Sequence, residues 1–176
     1  MPKTLSDIDI YESACTLKLK IVKLNPEAVA PQRATAGSAG WDLSACSDYT
    51  IALRPDGGTA LVNTGIAIEL PEGYEGQIRP RSGLASKHGI TVLNSPGTID
   101  PDYRGELKVP LINHSHQTFK IHPGMRIAQL VIAPVATVEM VEVTELAPYT
   151  CNDVSGLKVR GERGFGHSGL ERKEGE

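Results

Sequence analysis

Apolar and polar residues are arranged along this chain in short runs, and few of the runs exceed a dozen residues. TLKLKIVKL (16–24) largely alternates with a period of two, which puts successive side chains on opposite faces of a strand. Further runs rich in Val, Ile, Leu and Thr follow: YTIAL, GTALVNTGIAIEL, YEGQIRP, ITVLN, GELKVPLINHS, FKIHP, RIAQLVIAPV and TVEMVEV (137–143). Eighteen Gly and twelve Pro separate them. Many short strands at regular spacing with turn residues between them predict an all-β barrel or sandwich. One stretch in the body predicts a helix, Gly83–His88, with Ser82 as its N-cap. After Pro148 the composition changes. The segment 156–169, GLKVRGERGFGHSG, is glycine-rich, and the charged LERKEGE follows it. This divides the chain into a β domain (1–155) and a C-terminal arm (156–176).

Charge and cysteine content narrow the classes. Eighteen Lys and Arg against 21 Asp and Glu leave a net charge of −3, which gives no electrostatic footprint for nucleic acid or a membrane surface. The N-terminus lacks an uninterrupted apolar segment, and no run reaches transmembrane length. Cys15, Cys46 and Cys151 are far apart, odd in number and without a CxxC pair. They fit a reduced, cytoplasmic protein in which they fill space. His114 and His116 share one face of a strand but lack the further ligands a zinc site needs.

Four stretches carry more polar chemistry than their local structure requires. In GTIDPDYRGEL (97–107), Pro101-Asp102 is turn chemistry and the whole reads as a hairpin. Asp100 has no evident structural duty and suits a general base, while Tyr103 suits the face of a sugar ring. Solvated acids in a turn are the plain alternative. In RPRSGLASKHG (79–89), Arg81 and Ser82 lead into the helical turn, where unpaired N–H groups attract anions; an ordinary capped turn reads the same. AGSAGWDLSA (36–45) is a glycine loop entering a strand that carries Asp42. MRIAQLVIAPV (125–135) is an apolar strand with one polar residue, Gln129.

In this order, with RGERGFGHSG (160–169) as the fifth motif, the stretches resemble the trimeric dUTPases, deoxyuridine triphosphate nucleotidohydrolases. The resemblance implies a jelly-roll-like β-barrel, a homotrimer, and three active sites between subunits. It implies hydrolysis of dUTP to dUMP and pyrophosphate with Mg²⁺ held mainly by the phosphates, Asp42 reaching the ion through water. Asp100 then matches the carboxylate that activates water. Arg81, Ser82 and Gly83 match the phosphate-binding turn, and Gln129 a phosphate-side contact. Asn94 and the backbone near Thr98, Ile99 and Lys108 match the uracil-reading groups, and Tyr103 the aromatic beneath the deoxyribose. Arg160, Phe165, Gly166 and Ser168 match the arm, with Arg and Ser at the phosphates and Phe over the base. Two alternatives share the fold. A dCTP deaminase needs a Glu ten positions after Asp100, where this chain has Pro110, which cannot shuttle protons. A catalytically silent nucleotide-binding regulator would not need Asp100, Arg81 and Phe165 together.

Overall fold

The computed structural model describes residues 17–147. Residues 17–137 belong to one compact unit and 138–147 to a second. The expected boundary at 155 and the expected arm lie outside the described residues.

The first unit is built from strands and one short helix. In chain order these are β1 (Lys20–Lys23), β2 (Trp41–Ser44), β3 (Ile51–Leu53), β4 (Gly58–Asn63), β5 (Ile66–Glu69) and β6 (Tyr74–Pro80). After them come α1 (Ser82–His88), β7 (Ile90–Val92), β8 (Gly97–Ile99), β9 (Lys108–Asn113), β10 (Phe119–Ile121) and β11 (Arg126–Pro134). All ladders are antiparallel, in four groups: β1-β5, β10-β3, β2-β11-β6-β8 and β4-β9-β7. The run GTALVNTGIAIEL is split into β4 and β5 by Thr64 and Gly65. Gly65 sits at φ 66°, and a side chain there would meet Ala28 and Cys46.

Alternating burial along β4, β6, β7 and β9 turns one face of each to the core. Inward positions such as Leu43, Leu53, Val62, Ile66, Ile78, Val92, Leu111, Ile121 and Leu130 form one buried cluster, which Leu84 of α1 joins. All strands except β1 and β8 contribute buried apolar side chains to it. Each full burial contributes about 1.5–3 kcal/mol. β1, exposed along its length, is held by its ladder to β5 and by Lys20 Nζ donating to Glu69 at 2.8 Å. Among the described residues the order of elements and the single helix are those expected of a jelly-roll-like all-β fold, although the ladders do not run on into one closed barrel.

Three local expectations are corrected. α1 starts at Ser82, so Arg81 takes the N-cap position without a side-chain cap bond. Its extended backbone (φ −84°, ψ 128°) frees its side chain to turn to Asp42 instead. The stretch 97–107 is not a laddered hairpin, because β8 pairs with β6 whereas β9 pairs with β4 and β7. TVEMVEV forms no strand. Its Val138, Met140, Val141 and Val143 are exposed, and alternation without a paired edge satisfies neither backbone nor side chains.

Candidate active site

The site residues fall into two groups at opposite ends of β6. At one end, Asp42 on β2 receives Arg81 Nε at 2.9 Å on one oxygen and Arg126 Nη1 at 3.0 Å on the other. The carboxylate is largely buried, with 14% of its side chain exposed, and this is tolerable because both oxygens are paired. A bulge in the β11–β2 register between Arg126 and Ala128 accompanies this reach across 84 residues of sequence. Two guanidinium groups against one carboxylate leave one unit of positive charge. Arg81 Nη1 lies 3.4 Å from the Arg126 carbonyl, and no partner for Nη2 occurs among the described residues.

Gln129 braces the same end. It donates one amide N–H to the Pro80 carbonyl at 2.9 Å, just before Arg81. Its Oε1 lies so close to the α-carbon of Gly40 that a side chain at 40 would collide with it. Arg81, Ser82, Gly83, Asp42 and Gln129, proposed from three separate motifs, are therefore neighbours. Arg126 was missed. It opens the same strand run as Gln129 and lies opposite Ser44 in register, but its side chain reaches back to Asp42.

At the other end, β8 is an edge strand. Thr98 is opposite Gln77 and Ile99 opposite Gly76, so one side of β8 is laddered, and the other has no strand partner among the described residues. Asn94 lies against the α-carbon of Gly97, with its amide 3.3–3.4 Å from where a Cβ would stand. Lys108 opens β9 opposite Asn63 on β4, at a point where β7 does not reach. Unpaired backbone donors and acceptors near Thr98 and Lys108 can meet the edge of a flat polar ring as a strand would. Asp100 and Thr98 line a cleft of about 540 Å³ with Tyr74, Glu75 and Pro134. Asp100 is exposed and its carboxylate has no side-chain partner among the described residues. Both oxygens are therefore open to accept hydrogen bonds from water. Tyr103 closes the turn, its N–H donating to the Asp100 carbonyl at 3.2 Å.

The two groups do not meet within one chain. Asp100 follows Ile99, which pairs with Gly76, so it stands level with Glu75. Arg81 follows Pro80, six residues further along β6, about 20 Å away at 3.3 Å per residue.

Among the described residues no cluster of His, Cys, Asp and Glu is arranged to hold a metal. Cys46 is half-buried. Burial, with Glu106 and other carboxylates nearby, raises its thiol above the usual range, which makes it a poor nucleophile at neutral pH. Arg160, Phe165, Gly166 and Ser168 lie outside the described residues.

The dUTPase family model matches residues 26–169. This chain belongs to the dUTPase family. It is 52% identical over 157 residues to the deoxyuridine 5'-triphosphate nucleotidohydrolase of Helicobacter hepaticus, covering 89% of this chain and 92% of that one. It is 54% identical over 153 residues to that of Nautilia profundicola, covering 87% and 99%. Among solved structures, a mutant Staphylococcus bacteriophage 80alpha dUTPase with dUpNHpp has a TM-score of 0.72 at 29% identity, covering 87% of this chain and 99% of that one. A mutant dUTPase from phage phi11 of S. aureus, described with a structural Mg(II) ion, has a TM-score of 0.66 at 28% identity, covering 74% and 99%. No helix among the described residues is long and apolar enough to cross a membrane.

Proposed function

We infer that this dUTPase-family chain hydrolyses dUTP to dUMP and pyrophosphate, in sites completed between copies of the chain. The observation that carries the second half is the separation of Asp100 and Arg81 along β6, about 20 Å. A base that activates water must stand within hydrogen-bond reach of it, and the water within about 3–3.5 Å of the phosphorus. An arginine side chain spans only part of the remaining distance. One triphosphate meets both groups when Asp100 comes from one copy and Arg81 from another. A closed trimer supplies three such pairings.

The chemistry follows from the groups at each end. Asp100 accepts a proton from water as the oxygen bonds to the α-phosphorus. The bond from that phosphorus to the oxygen bridging to the β-phosphorus breaks in line, and pyrophosphate leaves. Arg81 brings a guanidinium already aimed by Asp42, and Ser82 and Gly83 bring the unpaired N–H groups that open α1. Gln129 has a second amide N–H free for a phosphate oxygen. The free edges near Thr98, Ile99 and Lys108, with Asn94, pair with uracil and reject cytosine, whose donor and acceptor are exchanged. Tyr103 lies beneath the deoxyribose. Arg160, Phe165, Gly166 and Ser168 close the site over base and phosphates.

The donor set suits a Mg²⁺ held by substrate rather than by protein. Asp42, with both oxygens paired to arginines, keeps lone pairs for a water but is not open for direct ligation. Mg²⁺, when bound, neutralises triphosphate charge and orders the phosphates. The work belongs in the cytoplasm, where the cysteines stay reduced. Pro110 lies within β9 opposite Leu61 and offers no acid for deamination.

Mixing two inactive proteins tests the shared site. Asp100→Asn and Arg81→Ala are each expected to be nearly inactive on dUTP. Dissociated, mixed in equal amounts and reassembled, they should recover about one quarter of wild-type activity, since random pairing leaves one site in four intact. No recovery from mixtures shown to contain both chains would place the whole site within one copy.

A further inference from the structure

The ring of Tyr103 rests on Gly105. A Cβ at position 105 would stand 2.6 Å from the phenol Cζ and 3.0 Å from Cε2, and nearer still to the hydroxyl. The approaches to the hydroxyl and to Cζ are closer than real Cβ contacts come, so the ring has this position only because residue 105 has no side chain. The hydroxyl donates to the Glu106 carbonyl at 2.9 Å, which fixes the far end of the ring. The seat is itself bolted to the body. Glu106 Oε1 accepts the Gly65 N–H at 2.8 Å, Leu107 N–H donates to the Ile66 carbonyl at 2.8 Å, and Thr64 Oγ1 donates to the Leu107 carbonyl at 2.6 Å. Leu107 is fully buried, whereas Tyr103 keeps 42% of its surface exposed. The ring is thus clamped at its hydroxyl and along one edge while much of it stays open to a ligand.

We propose that Gly105 is a specificity-determining residue: by seating the Tyr103 ring it sets the depth available to the sugar, and hence the rejection of ribonucleotides. The inference rests on the reading that Tyr103 lies beneath the deoxyribose. A ring in van der Waals contact with the 2′ carbon leaves no space for a 2′ hydroxyl. A ring lifted or swung aside by a β-carbon at 105 opens that space and loses contact with the deoxy sugar. Gly105 takes no part in proton transfer or phosphate binding, so its effect falls on the choice between substrates.

The full-length protein is assayed with dUTP and UTP in Mg²⁺, as wild type, Gly105→Ala, Tyr103→Ala and the double variant. Gly105→Ala is expected to lower the ratio of kcat/KM for dUTP to that for UTP by at least about tenfold. In the Tyr103→Ala background, where no ring remains to be displaced, Gly105→Ala should leave that ratio unchanged, a non-additivity diagnostic of direct contact. Should Gly105→Ala alone fail to fold, recovery of the fold in the double variant supports the same contact. An unchanged ratio in Gly105→Ala, or an equal effect of that substitution with and without the ring, overturns the inference. A wild-type ratio in Tyr103→Ala overturns instead the reading of Tyr103 as the sugar platform, and with it the role assigned to Gly105.

Discussion

The two ends of β6 are built on opposite plans. At the Arg81 end, the key side chains are tied in place: Asp42 holds Arg81 and Arg126, Gln129 donates to the Pro80 carbonyl, and Gly40 leaves room for Gln129. At the Asp100 end, an exposed carboxylate faces a cleft, and an edge strand keeps one side unpaired. The first arrangement pre-aims positive charge and removes the entropy of aiming it when substrate binds. On the proposed reading, the second keeps Asp100 and a row of backbone groups open for a reaction that needs them unoccupied. A group engaged before substrate arrives serves stability as well as function. A group left open serves function alone, and mutations at the two ends should separate on that line.

The largest separation is expected from Asp100→Asn. Loss of a positioned general base should lower kcat by about 10²–10⁴-fold. Since the carboxylate has no partner among the described residues, thermal melting should stay at the wild-type temperature. A clear fall in Tm would show that Asp100 has a structural duty and would break the comparison. At the opposite end, Arg126→Met leaves the largely buried Asp42 with Arg81 alone. A loss of about 1–2 kcal/mol is expected, discounted because the Arg126 side chain is itself more than half exposed, and KM for dUTP should rise with it. Calorimetry beside steady-state kinetics reads both, and a pure kcat effect at constant Tm would contradict the pre-aimed reading.

The smallest effect lies away from both ends, at Glu69. Lys20 holds this carboxyl below its usual range, chiefly through their hydrogen bond and then through charge. A carboxyl lowered on folding stabilises the fold above its unfolded value, and the contribution fades as pH falls through its folded value. The pair is exposed, so Lys20→Met should barely move Tm near neutral pH. Whatever difference exists should vanish in acid, when melting is followed down through the carboxylate range. A difference that grows toward acid would reverse the assignment.

Much of the fold was legible in the chain. Runs rich in Val, Ile, Leu and Thr, broken by Gly and Pro, marked most strands, because such side chains fit a half-buried sheet and Gly and Pro end it. The helix was legible to within one residue. Its cap was not, because Arg81 is drawn to a carboxylate 39 residues earlier in sequence. TVEMVEV carried a strand pattern and forms none, since a strand exists only where an edge receives it. Arg126 escaped notice because nothing local distinguishes a solvated Arg from one turned by a bulge onto Asp42.

Asp100, Tyr103, Arg81 and Gln129 stood out by residue type and by the order of their motifs. What those residues do to one another was decided by register. The pairing of β6 with β11 carries Arg81 to one end, and its pairing with β8 carries Asp100 to the other. The chain by itself determined the chemistry available, since side-chain type and turn residues are local properties. Only the tertiary structure decided which groups are paired, which stand open, and that Asp100 and Arg81 lie apart, because hydrogen-bond ladders join residues that sequence distance does not relate.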